Sequence, residues 1–235
     1  MKKVLIVLVT LFIALFAPRV GSLVANLFDV SALDPDGAFL WLYIHHMVQA
    51  LIVLGVIYVV SKKTSLRFGF SLGDKEKGIM FIKKFSFYFF IYTVVVMGIM
   101  VLSADRVTMP FPLNLRNSVG YLSFQLLMSG PSEEIIFRSF IMTILGAFIS
   151  HKILKGHLSL TNVIAAFVFM VAHIGFQFSP FSMSYEPMQL LYSFVLGVIY
   201  GICFEKTRSV YYPMVLHSIS NVISVSLVML VQILV

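Results

Sequence analysis

Long apolar runs separated by short polar stretches dominate the chain, and they predict helices able to cross a bilayer. The runs fall near residues 4–27, 39–60, 79–102, 118–150, 160–178, 188–204 and 211–235. A spanning helix needs about 20 predominantly apolar residues, so six runs predict one span each and the fourth is too long for one straight span. That run is expected as a tilted helix kinked at Gly130-Pro131, or as a short surface helix followed by a true span. The expected fold is therefore all-α, a polytopic transmembrane helical bundle of seven spans, or eight if the fourth run divides. No internal repeat, low-complexity tract or long linker interrupts it, so residues 1–235 are expected to form a single integral-membrane domain.

Composition agrees, with 60% hydrophobic and 11% charged residues, which leaves no stretch for a soluble domain of ordinary size. Met1-Lys2-Lys3 followed by Val4 to Ala17 looks like a signal peptide. The residues before a cleavage point after Ala17 do not read small-x-small, however, and an uncleaved first span is expected. Charge changes the picture by giving an orientation. Lys2, Lys3, Lys62, Lys63, Arg67, Lys75, Lys77, Lys83, Lys84, Lys152, Lys155, Lys206 and Arg208 fall on one side. The other side has Arg106 and Arg116, with Asp29, Asp34, Asp36, Asp105 and Glu186 nearby. The asymmetry predicts a cytoplasmic N-terminus and, for seven spans, an outer C-terminus. The net charge of +7 is thereby a topology signal. With no basic stripe interleaved with aromatics, a nucleic-acid partner is not expected.

Three charges stand where charge is least welcome, in Ser129-Gly130-Pro131-Ser132-Glu133-Glu134-Ile135-Ile136-Phe137-Arg138. An ionised side chain at the centre of a membrane helix costs at least about 2.5 kcal/mol, so such a cluster points to pairing or a functional cavity. Pro131 suits the first turn of a helix and Ser129 suits a cap, which predicts a helix starting or restarting at Gly130-Pro131 with both glutamates near its positive end. Glu134 and Arg138 are spaced i, i+4 and can pair, while Glu133, about 100° away on the helix, stays available. One glutamate reads as structural and the other as free.

Partners for Glu133 can be sought on other spans. His173 follows Phe169 by four residues, deep in the fifth run, and His217 and Asn221 share one face of the last. By rise per residue, His173 would lie about 20 Å from the inner end of its span and His217 about 9 Å from the start of its own, a mismatch that straight upright helices would not close. His45 and His46, beside Trp41 and Tyr43, are expected to pack in an aromatic belt. His151 and His157 belong to a basic loop, and neither pair is favoured for chemistry. The single cysteine, Cys203, excludes a disulfide framework and reads as a small packer. Gly197 and Gly201 form a small-xxx-small pair that lets two helices approach.

Taken in order, Glu133-Glu134-x-x-x-Arg138, Phe169-x-x-x-His173 and His217-x-x-x-Asn221 resemble the motifs of the CAAX protease and bacteriocin-processing enzymes, the Abi family of intramembrane endopeptidases. The words around them fit as well, with EIIF at Glu134 to Phe137 and the stretch from Leu196-Gly197 through Glu205-Lys206-Thr207 to Pro213. The resemblance covers roughly residues 120–225, and residues 1–117 add no diagnostic motif. It implies cleavage of a peptide bond in a membrane-associated or lipidated peptide or protein, in CAAX-type processing or bacterial peptide maturation. Glu133 would be the general base that activates a water, with His173 positioning that water or sharing its proton. His217 and Asn221 would donate to the oxyanion, and Glu134, Arg138 and Phe169 would support the site. No cofactor is required in this reading. Glu133, His173 and His217 would also suit a zinc ion, although no HExxH is present. Two other classes remain: a non-catalytic membrane scaffold or bacteriocin-immunity factor, and a proton- or cation-coupled transporter. The absence of inverted-repeat symmetry and of a second acidic cluster speaks against the last.

Overall fold

The structure, a computed structural model, describes residues 2–102, 108–153, 158–178 and 181–234. In chain order its elements are α1 (Lys2–Ala25), α2 (Leu40–Lys63), α3 (Lys75–Leu102) and a composite helix α4 (residues 115–146). A small hairpin follows, β1 (Lys152–Ile153) with β2 (Leu158–Ser159), then α5 (Leu160–Ala172) and a second hairpin, β3 (Gly175–Phe178) with β4 (Phe181–Ser184). The chain closes with α6 (Pro187–Thr207) and α7 (Tyr211–Leu234). The helical stretches follow the seven apolar runs, and α1, α2, α3, α6 and α7 are long and apolar enough to cross a membrane. The architecture is an all-α bundle of the multi-pass membrane type, with two hairpins the apolar pattern does not announce. Asp105, Arg106, Lys155 and His157, used above for orientation and comparison, lie outside the described residues.

Helix α4 corrects one expectation. The chain does not break at Gly130-Pro131 but runs on as α-helix (Leu115–Phe124), π-helix (Gln125–Ser129), α-helix (Gly130–Glu134), π-helix (Ile135–Met142) and α-helix (Thr143–Gly146). Ser129 is itself helical, at φ −56° and ψ −66°, and caps nothing. In a regular α-helix the ring of Pro131 would meet the carbonyl four residues back. The π turns just before it widen the helix at that point. Both glutamates therefore sit mid-helix, away from any N-terminal dipole. All eight residues of Ile135–Met142 are buried, which makes this part of α4 the centre of the bundle.

Helix α5 corrects another. The run 160–178 is helical only to Ala172. Its 13 residues rise about 20 Å, short of the roughly 30 Å hydrocarbon core. His173 caps the end of this short helix, and the β3–β4 hairpin takes the chain onward. Gly197 and Gly201 of α6 let α5 close in, as the small-xxx-small spacing predicts. A Cβ at Gly197 would come within 3.1 Å of that of Ala166, and one at Gly201 would overlap the Asn162 amide. Cys203 is fully buried on the same helix.

The depth mismatch between His173 and His217 is closed at the basic end of the bundle. There the α2–α3 loop folds inward, and the Phe68 carbonyl accepts from Ser139 Oγ at 2.7 Å. The α6–α7 turn docks on this loop. Val210 N–H donates to the Gly69 carbonyl at 3.0 Å, and the Tyr212 hydroxyl donates to the Leu72 carbonyl at 3.0 Å. Thr207, Ser209 and Val210 are all fully buried. Helix α7 thus begins recessed, and its second turn reaches the level of the glutamates.

Candidate active site

Arg138 and Glu134 are both wholly buried, with Nη1 of the arginine 3.1 Å from Oε1 of the glutamate. The i, i+4 pairing expected from sequence is present, and Glu134 is the glutamate that Arg138 pairs with. A buried ion pair survives only with further polar partners. Arg138 Nη2 donates to the Gly197 carbonyl at 2.9 Å, and the guanidinium lies over the rings of Phe169 and Tyr200, at 4.9 and 5.4 Å from their centroids. Arg138 Nε and Nη1 and Glu134 Oε2 have no hydrogen-bond partner among the described residues.

Glu134 also holds His217, whose Nδ1 lies 2.9 Å from the same Oε1. A carboxylate only accepts, so Nδ1 carries the proton. The ring stacks on Tyr200 at 5.0 Å, and the Tyr200 hydroxyl is fixed to Ser220 Oγ at 2.6 Å. Two constraints thus set one orientation, which directs His217 Nε2 to Glu133 Oε2 at 3.7 Å. The close approach of α7 to α4 depends on Gly130, where a Cβ would lie 2.9 Å from the Ser218 amide nitrogen and 3.1 Å from His217 Cβ.

On its other side, Glu133 meets a residue that the sequence reading assigned to interfacial packing. His46 of α2 is buried, and its Nδ1 stands 3.9 Å from Glu133 Oε1. The same nitrogen is 2.8 Å from Ser132 Oγ and 2.9 Å from Gln49 Nε2, and the ring packs edge-on against Phe124. With the Gln49 amide donating, Nδ1 is the bare nitrogen of a neutral ring. His45 keeps the expected packing role, stacked on Trp41 and bonded to Ser22. A signal was available in the sequence: His46 and Gln49 are i, i+3 on one face of an otherwise apolar helix.

His173 and Asn221 face a cavity of about 140 Å³, also lined by Phe169, Ser193, Tyr200 and His217. At the end of α5, His173 donates from Nδ1 to the Phe169 carbonyl at 2.8 Å, which leaves its Nε2 as an acceptor. Phe169 stands between the two histidines, with centroids 4.8 Å from His173 and 5.7 Å from His217. Asn221 Nδ2 donates one hydrogen to Ser129 Oγ at 3.1 Å, and the second has no partner among the described residues. The three motifs meet through His217, which stands beside Glu133 and lines the cavity with His173 and Asn221, while His46 flanks Glu133 on its other side. No ion pair joins His173 to Glu133. Among the described residues no three His, Cys, Asp or Glu side chains are grouped to hold a metal ion.

No curated protein and no solved structure gives a significant match to the chain. A protein-family model does match, over residues 115–223, and its description is Rce1-like, type II CAAX prenyl endopeptidase Rce1-like. That stretch contains every motif residue of the site, and only His46 and Gln49 come from outside it. Residues 115–223, which carry all three motifs, are therefore similar to the Rce1-like family, in keeping with the resemblance those motifs suggested.

Proposed function

We propose that the chain is an intramembrane endopeptidase that cuts a membrane-associated or lipidated peptide or protein, with Glu133 as general base. Its orientation would place the N-terminus and the basic end in the cytoplasm. The observation that carries the reading is the setting of Glu133. A carboxylate that is only partly exposed, at 17% of its side chain, lies 3.7 and 3.9 Å from two imidazole nitrogens. These gaps are too long for direct hydrogen bonds and suit a bridging water.

In this mechanism Glu133 takes a proton from the water while the water oxygen adds to the scissile carbonyl carbon. His173 Nε2, a lone pair by virtue of its bond to Phe169, accepts the water's other hydrogen and aims the oxygen. The carbonyl oxygen gains the negative charge and receives the second Nδ2 hydrogen of Asn221. His217 Nε2 can donate there only when the ring carries both protons, with Nδ1–H kept on Glu134. Each such preorganised donor is worth about 10²- to 10³-fold in rate. Glu133 then returns its proton to the amine nitrogen as the C–N bond breaks, which releases an acid and an amine and restores the carboxylate. No metal enters these steps.

The test is cleavage of a library of membrane-tethered peptides, prenylated and unprenylated, by the protein in nanodiscs. Wild type, Glu133→Gln and Glu134→Gln would be compared with and without a strong chelator. Loss of cleavage in Glu133→Gln with an unchanged unfolding midpoint, and retention under chelator, is the expected result. Chelator-sensitive cleavage restored by zinc would replace the glutamate mechanism by a metal one. Wild-type cleavage that survives Glu133→Gln would remove Glu133 from the chemistry.

A further inference from the structure

A second, much larger cavity, about 1420 Å³, opens at the basic end of the bundle, and none of the active-site residues lines it. Its wall is divided by chemistry. The apolar part includes Ile57, Leu66, Phe68, Met142, Ile149 and Phe204. The polar part carries Arg67 from the α2–α3 loop, Lys152 from β1, Lys206 from the last turn of α6 and Arg208 from the α6–α7 turn. All four cations are exposed, and none has a side-chain hydrogen bond or ion pair among the described residues. The lone carboxylate of the lining, Glu205, is taken up by Ser159 Oγ. The positive-inside rule accounts for basic residues at this end of the molecule. It does not account for four cations from three separate parts of the chain converging on one apolar recess.

Arg208 adds an independent observation. Its backbone is left-handed, at φ 59° and ψ 28°, the only such non-glycine among the described residues. It ends α6 at the position where glycine is the usual choice, because a Cβ makes this conformation costly. A strained arginine there, with no side-chain partner among the described residues, carries a conformational cost that a glycine would avoid.

We propose that this cavity is a binding site for an anionic phospholipid, its phosphate among Arg67, Lys152, Lys206 and Arg208 and its acyl chains along the apolar wall. Basic pockets between membrane helices at the cytoplasmic surface recognise anionic head groups in this way. The lining matches an amphiphile better than a free anion, because a soluble phosphate would leave the apolar wall in water. Phe68, Gly69 and Arg208 line the site, and Gly69 accepts from Val210 of the α6–α7 turn, so a lipid bound here would brace the same turn that sets the start of α7.

The test is binding, and it needs no substrate. Full-length protein in neutral detergent is titrated with phosphatidylglycerol, with phosphatidylcholine of the same chains, and with inorganic phosphate, and the thermal unfolding midpoint is followed. Phosphatidylglycerol is expected to raise the midpoint saturably, and the other two to leave it unchanged. Arg208→Gly removes a guanidinium while relieving the backbone, and should weaken the apparent affinity about fivefold, the factor expected for one cation at an anionic surface. A combined Arg67→Gln/Lys152→Gln/Lys206→Gln variant should abolish it, whereas Lys83→Gln/Lys84→Gln, outside the cavity, should not. Equal shifts from both lipids, a shift reproduced by inorganic phosphate alone, or an equal loss in the Lys83/Lys84 control would each overturn the proposal. Should Arg208→Gly fail to fold, Arg67→Gln alone provides the same comparison.

Discussion

Gly130→Ala tests whether the contact of α4 with α7 sets the chemistry. The added Cβ would lie 2.9 Å from both the amide nitrogen and Oγ of Ser218, and 3.1 Å from His217 Cβ. Carbon contacts settle near 3.5 Å or beyond, so α7 must retreat by about 0.6 Å. The Glu134–His217 hydrogen bond, 2.9 Å in the structure, would stretch to the limit of useful geometry, and the facing of His217 to Glu133 would loosen with it. Two energies compete. Replacing a mid-helix glycine by alanine gains about 0.5–1 kcal/mol, while overpacking a close contact costs about 1–3 kcal/mol. The steric term wins, and a net loss of about 1 kcal/mol in stability is expected. The rate should suffer more, because a misplacement approaching 1 Å costs up to about 10²-fold. The assay is peptide cleavage in nanodiscs beside unfolding in detergent, with Gly98→Ala as control, since a Cβ at Gly98 meets nothing within 4 Å. A Gly130→Ala protein that cleaves and unfolds like wild type would refute the argument that this close approach positions His217.

His46→Ala should lower turnover by about 10- to 100-fold, as loss of an orienting partner commonly does, and His46→Gln should recover part of it. Binding of a non-cleavable peptide, measured in parallel, should change less. Arg138→Met leaves Glu134 buried without its counter-charge and should cost about 3–5 kcal/mol, read as a lowered unfolding midpoint. At the end opposite the basic loops, the Asn117 amide, with Arg116 beside it, holds the Asp36 carboxyl below its ordinary value. A depressed folded-state value gives stability that is present above the unfolded-state pKa and lost as pH falls through the folded one. The unfolding midpoint should therefore decline through the acidic carboxylate range, and Asp36→Asn should flatten that decline.

The motif residues were legible because their spacing is local. Glu134 and Arg138 meet across one helical turn, and His217 and Asn221 share a helix face, whatever the rest of the bundle does. His46 was hidden by its neighbours. Trp41 and Tyr43 give the first turns of α2 the look of an interfacial belt, and its partner Ser132 is 86 positions away. Pro131 misled in the opposite way. Its local signal is a helix start, but the π turns before it absorb the steric conflict that would have forced one. The depth of His217 could not be read from helix lengths. It depends on the inward fold of residues 64–74, a stretch whose polar and glycine content reads as an ordinary surface loop.

The likeness to the Rce1-like family begins at Leu115, yet one wall of the Glu133 environment is built by α2. The edge of the family likeness and the edge of the Glu133 environment are thus different lines on this chain. A fragment cut to the matched segment would keep all three motifs and still lack the imidazole on one side of the carboxylate. A chimera that exchanged only the first two helices would alter the surroundings of Glu133 without changing a motif residue. For chains of this kind, the helices outside the likeness are where neighbours with identical motifs can come to differ in chemistry.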